Sequence, residues 1–223
     1  MIRIFSSLLG LALLASCADN STPSQAESAP MSGPAGDAVA TGLADGIYVI
    51  NKVKPRVTWA AQKLTGDGHD GTMHIESGKF KVENGNVTEG LVVFDMARIE
   101  VTDLTGNSKA DLEGHLRGGD FFNVETHPKA ELRVQGITDN AGVKTLNGTL
   151  TMNGVAVDYN IPVQLVEAEV PGNTKGLAIQ GKFDLDRTKH DIIYQSGTFF
   201  EGLDWAIKDN VQVGFSIIGV PSM

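Results

Sequence analysis

The five histidines are the side chains best suited to metal binding or to acid–base chemistry near neutral pH. They are His69, His74, His115, His127 and His190. No two of them form an HExxH motif and no cysteine lies among them, so their spacing offers little support for a zinc site. We therefore predict neither a metal centre nor a cofactor.

Acid–base catalysis has a small set of candidates. Asp111 and His115 are four residues apart on a predicted helix, where they can form a local ion pair, and His69 is the third candidate. No serine stands in the GxSxG arrangement that exposes a nucleophile at a strand-to-helix turn. Because no nucleophile, base and oxyanion hole are assembled, we predict that the protein is not an enzyme.

Residues 66–71 match the pattern GxGxxG, which in dinucleotide-binding folds joins a strand to a helix. The phosphates of a dinucleotide lie at the N-terminus of that helix. Here the following residues, 72–82, have a β-strand pattern instead. We therefore interpret these glycines as a hairpin loop and not as a nucleotide site.

The elements that must position any site are mainly β-strands. The clearest alternation of apolar and polar residues runs over 155–165. Asn153-Gly154 directly before it is the dipeptide most typical of a two-residue hairpin, and Asn84-Gly85 marks another tight turn. The predicted strands are residues 56–62, 72–82, 87–99, 129–138, 144–152, 155–167, 176–186 and 210–218.

One segment predicts a helix instead. Ser108 and Asp111 have the spacing of a capping box. Leu112 and Leu116 fall on one face, and Gly118-Gly119 ends the pattern. Eight antiparallel strands with one inserted α-helix indicate an all-β fold, either a closed up-and-down barrel or a sandwich. We favour the eight-stranded barrel, because closure removes both edge strands and its interior can hold side chains or one small ligand.

Apolar residues at alternating strand positions are predicted to face the interior of this barrel. With three residues at the end of the helix, the predicted lining is Met73, Ile75, Phe80, Phe94, Met96, Leu116, Phe121, Phe122, Leu132, Leu150, Met152, Val163, Leu165, Ile179, Phe183 and Phe215. These residues either fill the interior or enclose a cavity, and the pattern does not decide between the two. A hollow barrel of this composition would accept only an apolar guest.

The charge of the chain argues against some partners. The formal net charge is −9 and no cluster of Lys and Arg is present, so nucleic acid and anionic lipid surfaces are poor partners. Residues 17–44 are rich in Ser, Thr, Pro, Ala and Gly, a composition that cannot bury enough apolar surface to fold. We predict a flexible tether there, with a reach of about 30 Å, followed by a single domain at residues 45–223.

The N-terminus has the pattern of a signal peptide over residues 1–16. Arg3 precedes an apolar stretch at residues 4–15, which as a helix is too short to cross a bilayer core of about 30 Å. The run Leu14-Ala15-Ser16-Cys17 contains the one cysteine and resembles the lipobox of bacterial lipoproteins. The resemblance implies an acylated Cys17 that anchors the chain on the periplasmic side of the cell envelope. Ala18 after the cysteine is not acidic, which by resemblance to the sorting of enteric lipoproteins favours the outer membrane over the inner.

Several spaced motifs resemble those of the YceI-like family and follow in the same order. They are residues 115–122 (HLRGGDFF), 127–132 (HPKAEL), 146–155 (LNGTLTMNGV), 183–190 (FDLDRTKH) and 207–211 (IKDNV). Gly118 stands where the family usually has serine, and His190 where it commonly has an aromatic residue. The resemblance runs from Ile47 to Ile218.

The resemblance implies an extended lipocalin-like barrel, often dimeric, that encloses a long-chain isoprenoid or related amphiphilic lipid. On this basis we expect an envelope lipoprotein that binds, sequesters or transports such a lipid, held at its membrane through Cys17. The candidates for contact with the lipid head group are Lys63, His69, His115 and Arg187. Two alternatives stay open. One is an enzyme that acts on such a lipid through His69, Asp111 and His115, and the other is a ligand-free structural or stress-protective module.

Overall fold

Strands dominate the part of the chain that the computed structural model describes, which is residues 37–38, 43–51, 56–170, 174–200, 202 and 205–222. The strands are β1 (Asp37–Ala38), β2 (Gly46–Ile50), β3 (Arg56–Gln62), β4 (Gly68–Glu83), β5 (Asn86–Val101), β6 (Lys129–Asn140), β7 (Val143–Met152), β8 (Val155–Val170), β9 (Thr174–Asp186) and β10 (Asn210–Pro221). The helix α1 (Gly106–Arg117) follows β5, and a 3-10 helix (Arg187–His190) follows β9. The predicted signal peptide, Cys17 and most of the predicted tether lie outside the described residues.

The strands close into a barrel with eight positions. Successive strands from β4 to β10 pair antiparallel with one another. The remaining position, between β10 and β4, is shared by β2 and β3, each of which pairs with both neighbours. The predicted all-β, eight-stranded antiparallel barrel with one α-helix is confirmed.

Each strand places apolar side chains inside at every second position, as the geometry of a pleated strand requires. In β7, Leu146, Gly148, Leu150 and Met152 are buried, whereas the residues that alternate with them are partly exposed. This local pattern is why all eight predicted strands are present, most of them one to four residues longer at their ends.

Two hairpins have the turns that their dipeptides predict. Asn84-Gly85 between β4 and β5 has φ angles of 51° and 72°, and Asn153-Gly154 between β7 and β8 has 50° and 79°. Positive φ at both central residues is typical of a type I′ turn, whose twist matches that of the flanking strands. Asparagine and glycine tolerate this region best, so the turn residues also set the strand register.

The connections fall at opposite ends of the barrel, because neighbouring strands run antiparallel. At one end, here called the hairpin end, tight turns join β4 to β5 and β6 to β7. The other end, here called the helix end, carries α1, the 3-10 helix and the turns after β3 and β7. Neither of the described helices has the length and apolar character that a bilayer crossing requires.

Two strands are absent from the sequence-based prediction. β2 forms through pairing with β4 and β10, partners distant in the sequence. β1 lies within the predicted tether, and its two residues pair with Asp139 and Thr138 at the hairpin end of β6. Pairing of this kind depends on tertiary contacts and leaves little local pattern to detect.

The predicted capping box at Ser108 and Asp111 is wrong. The helix begins at Gly106, and its N-cap residue Thr105 makes no side-chain capping hydrogen bond. Contacts with β5 hold the helix instead. The Glu113 carboxylate accepts a hydrogen bond from the Val101 amide at 3.0 Å. The Arg117 side chain donates to backbone carbonyls of β5 at 2.8 and 3.1 Å.

Candidate functional site

The interior of the barrel contains a cavity of about 250 Å³. Its walls are built almost wholly from aliphatic, methionine and aromatic side chains of the strands, and α1 contributes Leu112 and Leu116. An apolar cavity of about 150 Å³ holds benzene in an engineered protein. The barrel is therefore hollow enough to take a segment of hydrocarbon chain, and the alternative of a completely filled core does not describe it.

Fourteen of the sixteen predicted lining residues border this cavity. They are Met73, Ile75, Phe80, Phe94, Met96, Leu116, Phe121, Phe122, Leu132, Leu150, Met152, Ile179, Phe183 and Phe215. Val163 and Leu165 do not border it. They lie on β8 beyond Ile161, the last residue of that strand on the cavity wall, and pack within the core toward the hairpin end.

The hairpin end is closed by packed side chains. The rings of Tyr48 and Phe80 stack with centroids 5.4 Å apart, and the Tyr48 hydroxyl donates to the Ala44 carbonyl at 3.0 Å. Gly219 makes room for the Phe80 ring, since a Cβ at this position would lie 2.2 Å from a ring carbon. The stack closes the bottom of the cavity, so a guest enters elsewhere.

The mouth of the cavity lies at the helix end, beside the turn between β3 and β4. Gln62, Lys63 and Gly68 line the cavity and are also exposed to solvent. Lys79, on the opposite half of β4, is the other lining residue that is exposed among those described. Leu116 of α1 is buried, and Phe121 and Phe122 pack in the same cluster. The helix and these two aromatic residues therefore cover the rest of this end.

His69 stands at this mouth and is held by a carboxylate. Its Nδ1 lies 2.8 Å from Oδ2 of Asp103. Partial burial raises the pKa of the Asp103 carboxyl, but the hydrogen bonds from His69 and from the Asp70 amide outweigh that effect and lower the pKa overall. The anionic Asp103 orients the His69 ring at the edge of the cavity.

Arg187 lines the cavity, but its side chain is buried and holds the backbone around the mouth. Its Nη1 donates to the carbonyls of Ile192 and Tyr194, both at 2.8 Å. Nε and Nη2 donate to the carbonyls of Lys208 and Ile207 at 3.2 and 3.1 Å. Burial lowers the pKa of the Arg187 guanidinium, although nearby carboxylates oppose that shift. Most of its donors are therefore engaged and are not free for a head group.

His115 is the predicted head-group candidate that does not border the cavity. Its exposed ring packs edge-on against Phe121 and Tyr194, with centroids 5.2 and 5.0 Å away. Its Nε2 lies 3.1 Å from a carboxylate oxygen of Asp120, and this contact stands in place of the predicted pair with Asp111. His69 and His115 thus each face a different carboxylate.

A hydrogen-bonded pair formed by the cavity-lining Tyr159 and the buried His190 is absent from the sequence-based prediction. The Nδ1 of His190 lies 3.1 Å from the Val155 carbonyl, and its Nε2 lies 3.0 Å from the Tyr159 hydroxyl. Because a carbonyl only accepts, Nδ1 carries the proton and Nε2 accepts from Tyr159. Burial lowers the pKa of His190 and raises that of Tyr159 to about 12. The sequence contained a signal for this pair, since His190 stands where the family that the sequence resembles commonly has an aromatic residue.

The arrangement suits an apolar guest. Among the described residues, no group of three or more His, Asp, Glu or Cys side chains could hold a metal ion. The polar side chains of the wall lie mainly at the mouth, where a lipid head group would reach water. An apolar interior with polar groups at one end matches an amphiphile with a long tail.

Comparison with known proteins agrees with this geometry. A family model described as a YceI-like domain matches residues 48–218. A UPF0312 protein of Pseudomonas aeruginosa (strain LESB58) is 32% identical over 65 residues, which cover 29% of this chain and 34% of that protein. The UPF0312 protein plu2095 of Photorhabdus laumondii is 29% identical over 118 residues, or 52% of this chain and 59% of that protein. The chain therefore spans only part of the length of these curated relatives.

Two solved structures share the fold. Burkholderia cenocepacia BcnA has a TM-score of 0.60 and 17% identity, and the match covers 76% of this chain and 98% of BcnA. A polyisoprenoid binding domain from Saccharophagus degradans, implicated in plant cell wall breakdown, has a TM-score of 0.53 and 15% identity, with 78% and 98% covered. At these identities the likeness concerns the architecture alone.

Proposed function

Since this chain belongs to the YceI-like family, we propose that its barrel binds a long-chain isoprenoid-type lipid with the tail in the apolar cavity. We further propose that the protein is an envelope lipoprotein, anchored through an acylated Cys17, that sequesters or transports this lipid. The observation that carries the proposal is the hollow interior, which is apolar throughout and opens at one end.

The choice of an isoprenoid rests on two supports of different kinds. The cavity accepts hydrocarbon and excludes water, which is a physical argument for a lipid tail but not for one lipid class. A protein of the same fold is described as a polyisoprenoid binding domain, and this supports the lipid class.

The free energy of binding comes mainly from keeping the tail out of water. A tail that already lies in a bilayer gains little by moving into an apolar barrel, because both environments exclude water. Shape and head-group contacts must then decide which lipid is selected. We expect Lys63 and His69 to provide those contacts, since both line the cavity at its mouth.

The alternatives have less support from the geometry. An enzyme that used His69 and His115 would need them near one reacting bond, yet only His69 borders the cavity. A ligand-free module would gain stability from a filled interior, because an empty cavity lowers stability with its volume. Homodimer formation remains a prediction from the family resemblance.

Lipid content of the purified protein tests the proposal. We expect the full-length protein, purified from envelopes, to release a stoichiometric isoprenoid-type lipid on organic extraction, detected by mass spectrometry. Leu150→Trp fills the cavity and should abolish this lipid, because Leu150 borders the cavity beside Leu132, its pairing partner on β6. Thr151→Trp places the same ring on the outer face of β7 and serves as the matched control.

Protein without lipid in both wild type and Thr151→Trp would contradict lipid binding. The mass of the mature N-terminus tests the anchor separately. We expect an acylated cysteine at position 17, and an unmodified Cys17 in envelope-derived protein would rule the anchor out.

A further inference from the structure

Large apolar side chains are exposed around the mouth of the cavity. Nine such residues are exposed in the described part of the chain, and five of them lie at the helix end. We call these five the mouth patch; they are Leu64, Ile193, Phe199, Phe200 and Trp205, with exposed fractions of 60%, 36%, 55%, 46% and 50%. All the strongly exposed aromatic side chains of the described residues belong to it.

The members of the mouth patch are held together by backbone contacts between two loops. The Leu64 amide donates to the Ala206 carbonyl at 2.8 Å, which joins the β3–β4 turn to the segment after β9. The amides of Phe199 and Phe200 both donate to the Ser196 carbonyl, at 3.3 and 3.0 Å. An added Cβ on Gly197 would lie 3.4 Å from the Leu64 side chain, so the two loops touch.

The mouth patch borders the place where the cavity meets solvent. Lys63 and Ile207 pair in an isolated β-bridge, and both line the cavity. They are the sequence neighbours of Leu64 and Ala206. The buried Arg187 binds the carbonyls of Ile192, Tyr194 and Ile207 and so fixes the backbone that presents the patch.

We propose that the mouth patch docks on the surface of a lipid bilayer, so that a lipid tail passes between bilayer and cavity without crossing water. This inference rests on the proposed function and adds the route of exchange. Exposure of a long tail to water is unfavourable in proportion to its apolar area. A protein that binds such a tail therefore exchanges it faster if the mouth of the cavity lies within the apolar part of the bilayer interface.

The chemistry of the patch indicates which bilayer it fits. Phenylalanine, leucine and tryptophan side chains insert at the boundary between head groups and acyl chains. Lys63 and Lys208 flank the patch, but Asp67 and Asp103 lie on the adjoining turns, Asp70 lies near the start of β4, and the chain is acidic overall. Docking is therefore apolar and insensitive to salt, and anionic lipids do not strengthen it.

The length of chain before the barrel permits this orientation. Cys17 and Asp37 are 20 residues apart in the sequence, a distance of up to about 70 Å when extended. The longest strands have 16 residues, which at the usual tilt gives a barrel about 40 Å tall. β1 pairs at the hairpin end. A chain of this length nevertheless lets the helix end reach the bilayer in which we propose that the acylated Cys17 is anchored.

Tryptophan fluorescence tests the docking on the full-length protein. The protein is reconstituted in phosphatidylcholine vesicles whose acyl chains carry bromine, a quencher of nearby tryptophan. We expect strong quenching in the wild type and little in Trp205→Phe, which leaves Trp59 inside the barrel as the background. Phe199→Ser with Phe200→Ser should remove most of the quenching of Trp205. Val143→Ser, an equally exposed apolar residue at the hairpin end, is the matched control and should change nothing.

A transfer assay measures the consequence for exchange. Donor vesicles carry a fluorescent polyprenol, and we expect the double serine variant to take it up at least about tenfold more slowly than the wild type. Leu64→Ser, on the other loop, should slow uptake in the same direction. Thermal unfolding and the lipid that co-purifies should be unchanged in these variants, which separates failure of docking from failure of lipid binding.

Three outcomes would overturn the inference. The first is equal quenching and equal uptake in the wild type and the double serine variant. The second is quenching that needs anionic lipid and disappears in high salt. The third is a change of oligomeric state in the variants with uptake unaltered, which would assign the patch to a contact between copies of this chain.

Discussion

At the scale of single residues, a titratable side chain behind the cavity-lining Tyr159 is buried, and its burial has a measurable consequence. His190 is completely buried and is held between the Val155 carbonyl and the Tyr159 hydroxyl. Its ring stacks on that of Tyr159 with centroids 6.0 Å apart. The neutral ring satisfies both partners, whereas a charged ring would have to be accommodated beside an apolar cavity.

The first prediction concerns the pH dependence of stability. Because burial lowers the pKa of His190, the unfolded chain binds this proton more readily than the folded protein does. The contribution from neutral His190 is complete above the pKa of an unfolded histidine, about 6.5, and is lost progressively as the pH falls below it. We expect His190→Asn, which keeps a donor toward Val155, to flatten the fall in the urea midpoint between about pH 7.5 and 5.5.

The control for this prediction is Ile192→Val, since Ile192 is buried, does not titrate and lies two residues from His190. It should lower the urea midpoint at every pH and keep the wild-type dependence of that midpoint on pH. Identical slopes for wild type and His190→Asn would show that the buried histidine does not contribute.

At the scale of elements, tight turns set the register that brings the lining residues inward. In the turn between β7 and β8, Asn153 and Gly154 are central, and Met152 pairs directly with Val155. A shift of one residue would turn every side chain of β8 to the opposite face. The turn thus decides whether Tyr159 and Ile161 face the cavity.

The second prediction tests this turn. Gly154 has a φ of 79°, and a Cβ there would lie 2.9 Å from the His127 ring. We expect Gly154→Ala to lower the free energy of unfolding by about 1–2 kcal/mol, because the left-handed backbone region is unfavourable for alanine. Urea denaturation at neutral pH measures the change.

Gly119→Ala is the matched control for the turn. Gly119 lies just after α1 without a positive φ, and no atom lies within 4 Å of an added Cβ. We expect it to be neutral or slightly stabilising. An equal loss of stability in both variants would mean that the effect of Gly154→Ala does not come from turn geometry.

At the scale of the whole molecule, the two ends of the barrel differ in structure. The hairpin end is closed by the Tyr48–Phe80 stack, and the helix end carries the mouth and the mouth patch. The chain enters the barrel at the closed end, through β2. The mouth therefore lies at the end opposite to the one where the chain enters the barrel.

The third prediction follows from this arrangement and from the anchor that we propose. Deletion of residues 18–29 leaves seven residues, 30–36, between Cys17 and Asp37. The eight residue steps from Cys17 to Asp37 then span about 28 Å at full extension, which is less than the height of the barrel. We expect the shortened protein to keep its co-purified lipid but to lose uptake of a fluorescent polyprenol from the membrane that holds the anchor.

Replacement of the same residues by a Gly-Ser segment of equal length is the control and should preserve uptake. If the shortened protein exchanges lipid as fast as the wild type, the mouth does not need to reach the anchoring membrane.

Much of this protein is determined by the sequence alone. Period-two alternation and asparagine–glycine turns are local properties, so eight of the ten described strands, the two hairpins and fourteen of the cavity residues could be predicted without a structure. The inserted helix was predicted as well, although its start was not, because contacts from Glu113 and Arg117 to β5 replace a local cap.

Only the tertiary structure decided what the interior is and where it opens. Closure of the ring leaves a space beside Ile161 but packs Val163 and Leu165 into the core, although all three alternate on the same strand. It also directs the donors of Arg187 to backbone carbonyls and leaves His115 outside the cavity. Alternation tells which face of a strand is apolar, but whether that face meets a neighbour or a void depends on residues far away in the sequence.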